Sequence, residues 1–374
     1  MPLMSSPVRS TRLNVESSTA TSLVIEGREY LAFAGCNYLG LAQHPEVVGA
    51  AAIGLGTFGI STSASRETTG NTCVHDALEV ELAAFTRQQA AILLAEGYTA
   101  NFAVAQGLAA THGIALIDAK GHRSIRNAAN AAGMQVMEYE HLSPRSAAWL
   151  VRQYGDQGVA IFTDGIFAAD GAIAPVRELL ETLPEHRGTL VVDDCHGFCV
   201  MGEGGRGLVD QAGLDDPRVC ITTTLAKGLG CYGGAVIGRS ALINTIRGQS
   251  DVYRRSTPVP TPIAMAARAA LEVLRRDSWL IERLRSNTDL MRSELRKCGL
   301  RVHDDPVPVF TFVLDAGEEA MWNLHHRLMD AGIYAPLIEY PGGPSPRYFR
   351  LTVTASHTPD DIVRLGRYIA SVQK

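Results

Sequence analysis

Apolar runs and helix-spaced stretches alternate along the chain from about residue 90 to about residue 240. The runs "AAILLAEG", "IALIDAK", "VAIFTDG", "GTLVVDDCH" and "VCITTTLAK" each close in small, polar or charged residues. Their near-continuous Val, Ile, Leu and Ala content predicts strands buried on both faces, as in a parallel sheet. Between them, "NFAVAQGLAATHG" and "VRELLETLPEH" repeat apolar positions at helical spacing. Strand and helix in alternation predict a doubly wound α/β domain. Such sheets place ligands beyond the carboxyl ends of their strands. The polar residues that end each run are therefore the first candidates for chemistry.

The pattern changes after "STPVPTP" at 256–262, with three prolines among seven residues. A long helical stretch, "IAMAARAALEVLRRDSWLIERLRSNTDLMRSELRKCG", leads to a strand-like "VPVFTFVLD", a further helix and "RYFRLTVTASHTPDD". The last of these ends a strand and starts a helix. Thr358 suits the cap, Pro359 the first helical position and Asp361 the third. The expected organisation is an N-terminal segment over 1–45, a large α/β domain over 46–258 and a small α+β domain over 259–374.

Of the 374 residues, 46% are apolar and 20% charged, a balance that suits a soluble globular chain with a large core. A net charge of −5 provides no field for nucleic acid or an acidic membrane surface. The basic pairs Arg254-Arg255 and Arg275-Arg276 are short and read as solvated helix faces. Seven cysteines without a C-x-x-C pair argue against a disulfide framework. Cys195, His196 and Cys199 cluster, but nothing completes a zinc ligand set, so no metal is expected. The opening "MPLMSSPVRSTRLNVESS" lacks the apolar stretch of a secretory signal, and no apolar run is long enough to span a bilayer. These features read as cytoplasmic, with no membrane and no nucleic-acid partner.

The stretch "TTTLAKGLGCYGGAVIG", 222–238, carries G-x-G-x-x-G at Gly228, Gly230 and Gly233. A dinucleotide-binding turn would need a helix opening on the third glycine, and "AVIG" is strand-like instead. A phosphate-binding G-x-x-x-x-G-K-[ST] loop also fails, because Lys227 follows "TTLA" and precedes glycine. What remains is a lysine at the end of a buried strand beside small residues, a setting suited to imine chemistry. A surface lysine in a loop would look the same, so its partners decide. Asp193 ends "TLVVD", where a carboxylate can keep a pyridinium nitrogen protonated, and His196 follows it. Either a helix cap or a cofactor carboxylate fits Asp193 alone. Gly97 and Tyr98 open a helix whose first amides suit a phosphate, and His122 stands just past another strand end.

In order, "NYLGLAQHPEV" (37–47), "SRETTG" (65–70), "EGYTAN" (96–101), "GHRSI" (121–125), "TDGIFAADGAIAP" (163–175), "DDCHGFCVMGEGGRG" (193–207), "TTLAKGLG" (223–230) and "RLTVTASH" (350–357) are similar to motifs of the α-oxoamine synthases. That family consists of pyridoxal-phosphate enzymes of fold type I, the aspartate-aminotransferase fold. The resemblance runs from about residue 25 to the end. It implies a large domain with a mostly parallel sheet, a smaller C-terminal α+β domain, and pyridoxal 5'-phosphate as cofactor.

The resemblance makes Lys227 the cofactor-binding lysine, Asp193 the pyridinium partner and His122 the group stacked on the ring. His196 is implied to bond the ring hydroxyl, and Gly97, Tyr98 and Thr224 to hold the phosphate. Ser256 and Thr257 match a hydroxyl pair that reaches the phosphate from a neighbouring subunit, which implies a homodimer with shared active sites. Arg350 matches the arginine that grips the amino-acid carboxylate. Cys36 stands where the family carries asparagine near that carboxylate, with Asn37 at the next motif position. Ala168 replaces a serine, "GISTSAS" (59–65) replaces a glycine-rich run, and Ser65 before Arg66 argues against a strictly glycine-using enzyme. The implied reaction condenses a small amino acid with an acyl thioester, on coenzyme A or a carrier protein, to an α-amino ketone with loss of CO₂. Cys36 and Ala168 leave transamination or aldolase-type cleavage as a second reading. A non-catalytic partner subunit is a third, which Lys227, Asp193 and both histidines oppose.

Overall fold

The computed structural model describes residues 13–372; the first twelve residues of the expected N-terminal segment lie outside that range. Three strands, β1 (Val15–Ser18), β2 (Ser22–Ile25) and β3 (Arg28–Ala32), precede helices α1 (Pro45–Phe58) and α2 (Cys73–Phe85). The alternating region runs β4 (Ala90–Leu94), α3 (Gly97–Leu108), β5 (Ile114–Asp118), α4 (Arg123–Ala131), β6 (Gln135–Tyr139) and α5 (Pro144–Tyr154). It continues with β7 (Val159–Asp164), α6 (Val176–Glu181), β8 (Gly188–Asp193), α7 (Leu208–Gln211), β9 (Val219–Thr224) and β10 (Gly234–Gly238). Four helices follow: α8 (Ser240–Gln249), α9 (Asp251–Arg255), α10 (Thr261–Arg276) and α11 (Trp279–Lys297). The chain closes with β11 (Val309–Phe312), α12 (Glu318–Asp330), β12 (Ile333–Tyr334), β13 (Leu337–Ile338), β14 (Tyr348–Thr352) and α13 (Pro359–Val372).

The central sheet has the order β4-β10-β9-β8-β7-β5-β6. Strands β5 to β9 pair in parallel, and β10 runs antiparallel to both of its neighbours. Every residue of β5, β7, β8, β9 and β10 is buried, which is why their sequences are unbroken apolar or small-residue runs. Strand β6, "QVMEY", was not among the runs expected from sequence. It is the half-exposed edge strand, and Gln135 and Glu138 face out of it. The glycine-rich stretch after Lys227 is the tight connection of the β9–β10 hairpin, closed by Leu225 N–H to Gly233 O (2.9 Å) and Gly230 N–H to Lys227 O (3.0 Å). Gly230 has φ +65°, and a Cβ there would sit 2.3 Å from the Ala42 nitrogen. Its glycine spacing therefore reflects a turn and a close backbone approach, with no nucleotide in the account.

The long helical stretch expected after the prolines is two helices. Asp277, at φ −105° and ψ 60°, breaks α10 from α11, and its carboxylate takes the Arg276 guanidinium (Nη2 to Oδ2 2.8 Å). The packing also shifts the expected boundaries. Helix α10 packs on α1 and α2 beside the sheet. Helix α11 spans two cores: Leu280, Ile281 and Leu284 join the one under the sheet, and Met291 and Leu295 join that of the small lobe. The N-terminal strands belong to the small lobe too, since β3 pairs in parallel with β12 and Phe33 enters its core. The Thr358 cap forms as expected: Asp361 N–H donates to Thr358 Oγ1 (3.2 Å) and Thr358 N–H to Asp361 Oδ2 (2.9 Å).

His357 fastens this joint. Its ring stacks on Phe33 (centroids 4.6 Å apart), Nδ1 accepts the Thr354 N–H (3.0 Å) and Nε2–H donates to Ala32 O (3.1 Å). Burial pushes its pKa from 6.5 down to about 4. The folded state therefore binds this proton less readily than the unfolded state, and stability is full above pH 6.5 and lost as pH falls toward 4. The expected contribution is about 3 kcal/mol. Urea unfolding between pH 7 and about pH 4 should show it, and His357→Gln should flatten the slope. An unchanged slope in the variant would contradict this role.

Among the described residues no helix is long and apolar enough to cross a membrane, and no group of His, Cys, Asp and Glu could hold a metal ion.

Candidate active site

The carboxyl ends of β4, β5, β7, β8 and β9 open on one cavity of about 380 Å³. Lys227 enters it from the hairpin after β9, half-buried, with Nζ 2.9 Å from His196 Nε2. On the far side of that ring, His196 Nδ1 meets the Tyr38 hydroxyl at 2.6 Å. Burial, then the charges of Lys227 and Arg350, hold the His196 pKa well below its usual value, so the imidazole is neutral. Burial likewise pushes the Tyr38 hydroxyl well above its usual range. A neutral ring that receives Lys227 at Nε2 carries its proton on Nδ1, toward Tyr38.

Asp193 ends β8 with two donors on its carboxylate, Asn101 Nδ2 to Oδ2 at 2.8 Å and the Cys195 N–H to Oδ1 at 3.2 Å. Asn101 is fully buried on α3 and is itself fixed, donating to Ser124 Oγ (2.9 Å) and accepting from Thr222 Oγ1 (2.9 Å). Ser124 Oγ in turn lies 2.7 Å from His122 Nδ1. One buried polar chain therefore orients both the carboxylate and the histidine. His122 caps α4: Nδ1 also accepts the Ser124 N–H, and its own N–H donates to Asp164 Oδ2 at 2.7 Å. Burial lowers the His122 pKa, and the Lys227 charge adds to this against Asp193. The neutral ring accepts at Nδ1 and so carries its proton on Nε2, which has no protein partner among the described residues.

Sequence reasoning did not single out Asn101, Ser124, Tyr38 or Asp164. All four lie in stretches that it quoted, but a buried polar residue reads like a solvated one until its partners are known. Asp164 ends β7 directly beside Asp193 in register. Burial, then the Asp193 charge, push its carboxyl well above the usual carboxylate range.

At the anionic end, Glu96 and Thr99 form a capping box that opens α3, with Glu96 N–H on Thr99 Oγ1 (3.3 Å). Gly97 lies so close to β9 that a Cβ would fall 2.7 Å from Thr224 Cβ. The Thr224 hydroxyl lines the cavity but already donates to Gly233 O (3.1 Å) and accepts the Ala226 N–H (3.1 Å). Tyr98 stands at the mouth, edge-on to His122 with centroids 6.2 Å apart. At the opposite end Arg350 points in from β14, its Nε donating to Ala168 O at 2.8 Å, with Cys36 beside it.

Four expected site residues lie off this cavity. Asn37 forms a turn, donating to Gln43 Oε1 (3.0 Å) and accepting the Ala42 N–H (3.3 Å). The Ser65 carbonyl accepts from Thr68 and Gly70 in another turn. Ser256 donates its hydroxyl to Val252 O, and Thr257 is exposed after α9. None of the four lines the cavity of its own chain.

The residues present fit pyridoxal phosphate, the cofactor implied above. Lys227 provides an amine, and Asp193 a fixed carboxylate for a ring nitrogen. His122 offers a flat neutral ring, and the α3 amides at Gly97 and Tyr98, kept clear of any Cβ at 97, suit a phosphate.

Comparison with known proteins identifies the family and the fold. The model of the family "Aminotransferase class I and II" matches residues 28–369. An 8-amino-7-oxononanoate synthase from Thioalkalivibrio sulfidiphilus is 35% identical over 360 residues, covering 96% of this chain and 91% of its own. That of Hahella chejuensis is 34% identical over 95% of this chain and 90% of its own. A serine palmitoyltransferase from S. paucimobilis, solved with bound PLP and myriocin, shares the fold, with a TM-score of 0.90 at 23% identity over 96% of this chain and 92% of that one. With motif order, sheet topology and cavity in agreement, the chain belongs to the class I and II aminotransferase family, in its α-oxoamine synthase branch.

Proposed function

We propose that this chain condenses a small amino acid with an acyl thioester, releasing CO₂ and the carrier thiol and leaving an α-amino ketone. The observation that carries this reading is the convergence of Lys227, Asp193, His122 and Arg350 on one cavity. Pyridoxal phosphate, when bound, draws electrons from the α-carbon of an attached amino acid and so stabilises negative charge there. Lys227 is the residue that would hold the cofactor covalently, and its amine stands where it would move a proton at the α-carbon of the substrate. Asp193, held by Asn101 and the Cys195 N–H, would keep a proton on the ring nitrogen. Arg350, anchored through Nε on Ala168 O with Cys36 beside it, presents its planar fork to the substrate carboxylate. His122 presents Nε2–H to the thioester carbonyl as negative charge develops on its oxygen. A carbon–carbon bond forms between the α-carbon and that carbonyl, the carbon–sulfur bond breaks and the thiolate takes a proton; the bond from the α-carbon to its carboxylate then breaks to release CO₂, and a proton returns to the α-carbon.

The same reading makes the protein a cytoplasmic homodimer. Ser256 and Thr257 lie off their own cavity, as residues that serve the partner's cavity would. Purified holoenzyme supplied with glycine, alanine or serine is expected to release thiol from acyl-CoA or from an acyl carrier protein, one per amino acid consumed. A keto acid formed without any thioester would favour transamination. Cys36 and Ala168, which place no amide or side-chain hydroxyl beside the substrate carboxylate, are the observation on that side.

A further inference from the structure

Arg350 Nε is held by the carbonyl of Ala168 at 2.8 Å. Because residue 168 is alanine, the backbone is all that this position offers the guanidinium. The Ala168 carbonyl lies on the loop between β7 and α6, which folds on itself through Phe167 N–H to Ala172 O (2.9 Å), Gly171 N–H to Phe167 O (2.8 Å) and a bridge between Ile166 and Ile173. Charged groups outside the cavity hold the tip of this loop. Asp170 Oδ2 takes Lys120 Nζ at 3.0 Å and stands 3.9 Å from His141 Nε2. His141 Nδ1 meets Asp118 Oδ1 at 2.7 Å, and its ring sits edge-on to Phe167 with centroids 4.6 Å apart. Asp118 is buried at the end of β5, where it also accepts the N–H groups of Lys120 and Leu142, each at 2.9 Å. The residues on both sides of the Ala168 carbonyl are therefore fastened to β5 and to the segment after β6.

We propose that Asp118, His141, Lys120 and Asp170 form a clamp that sets the direction of the Ala168 carbonyl and, through it, the fork of Arg350. They are positioning residues for the carboxylate of the amino-acid substrate, and the proposal rests on the reading of Arg350 given above. Asp170 and Lys120 are partly exposed, so their ion pair contributes little to stability. Carboxylate recognition by a planar fork, in contrast, tolerates only small errors of angle and distance. Loss of the clamp should appear in binding rather than in folding.

The test titrates holoenzyme with an amino acid and, in parallel, with the amine that lacks its carboxylate, such as alanine and ethylamine. The absorption of the bound cofactor reports both. Asp170→Asn is expected to raise the alanine Kd about fivefold to tenfold, with ethylamine within about twofold of wild type. KM for the amino acid should rise with it, kcat should change little, and Asp170→Glu should recover most of the affinity. His141→Asn serves as a second variant if Asp170→Asn fails to fold. Unchanged alanine binding in these variants, or equal weakening of alanine and ethylamine, would overturn the clamp. Arg350→Ala separates the two ideas. If it weakens alanine binding while Asp170→Asn does not, the clamp alone falls. If Arg350→Ala changes nothing, the carboxylate reading of Arg350 falls and the clamp with it.

Discussion

Lys227→Ala protein is expected to lose covalent attachment of the cofactor and to turn over at least about 10³-fold more slowly than wild type. The chain makes this prediction easy to read, because it has only four lysines: 120, 227, 297 and 374. Among the described residues, Lys227 is the lysine that lines the cavity, where its Nζ meets the neutral His196 at 2.9 Å. Lys120 is engaged with Asp170 at 3.0 Å. Borohydride treatment of wild-type holoenzyme, followed by peptide mass mapping, should therefore fix the cofactor on the peptide containing Lys227 and on no other. The variant should retain no label. A label on Lys120, or residual turnover within about tenfold of wild type, would move the chemistry away from the β9–β10 hairpin.

Asp193→Asn is expected to be nearly as damaging, with kcat lower by about 10² to 10³. The substitution keeps the shape of the side chain, and its oxygen can still accept from Asn101, so the fold should survive. What disappears is the charge that keeps a ring nitrogen protonated. The neighbouring Asp164 provides an independent sign. The Asp193 charge helps to hold its carboxyl above the usual range, so removing that charge should let the Asp164 pKa fall. Steady-state kinetics across pH would show both effects. A kcat within about tenfold of wild type would contradict the role given to Asp193.

Much of this site was legible in the chain because buried parallel strands carry their signal locally. Strands β5, β7, β8 and β9 are unbroken apolar or small-residue runs, and the polar residues that end them, Asp193 and Lys227 above all, converge where a doubly wound sheet puts its ligands. The less legible parts depend on distant partners. The pairing of β3 with β12 joins residues 31 and 333, and no local pattern specifies it. Edge strand β6 lacks the apolar run because one side of it is solvated. The break at Asp277 lies within a stretch that is helix-forming on both sides. Asn101 and Ser124 gain their meaning from Asp193 and His122, which lie far from at least one of them in sequence. The G-x-G-x-x-G spacing turned out to be the geometry of a hairpin turn packed on the backbone of Ala42.

The proposed reaction makes a carbon–carbon bond at the expense of a thioester and a carboxylate. It is tested most directly by giving the holoenzyme an amino acid labelled with ¹³C at the carboxyl group, together with an acyl thioester, and following every product. The expected result is labelled CO₂, free thiol and an unlabelled α-amino ketone in equal amounts, with no labelled CO₂ when the thioester is left out. A keto acid that retains the labelled carboxyl, formed whether or not thioester is present, would contradict the account and make the chain an aminotransferase in activity as well as in family.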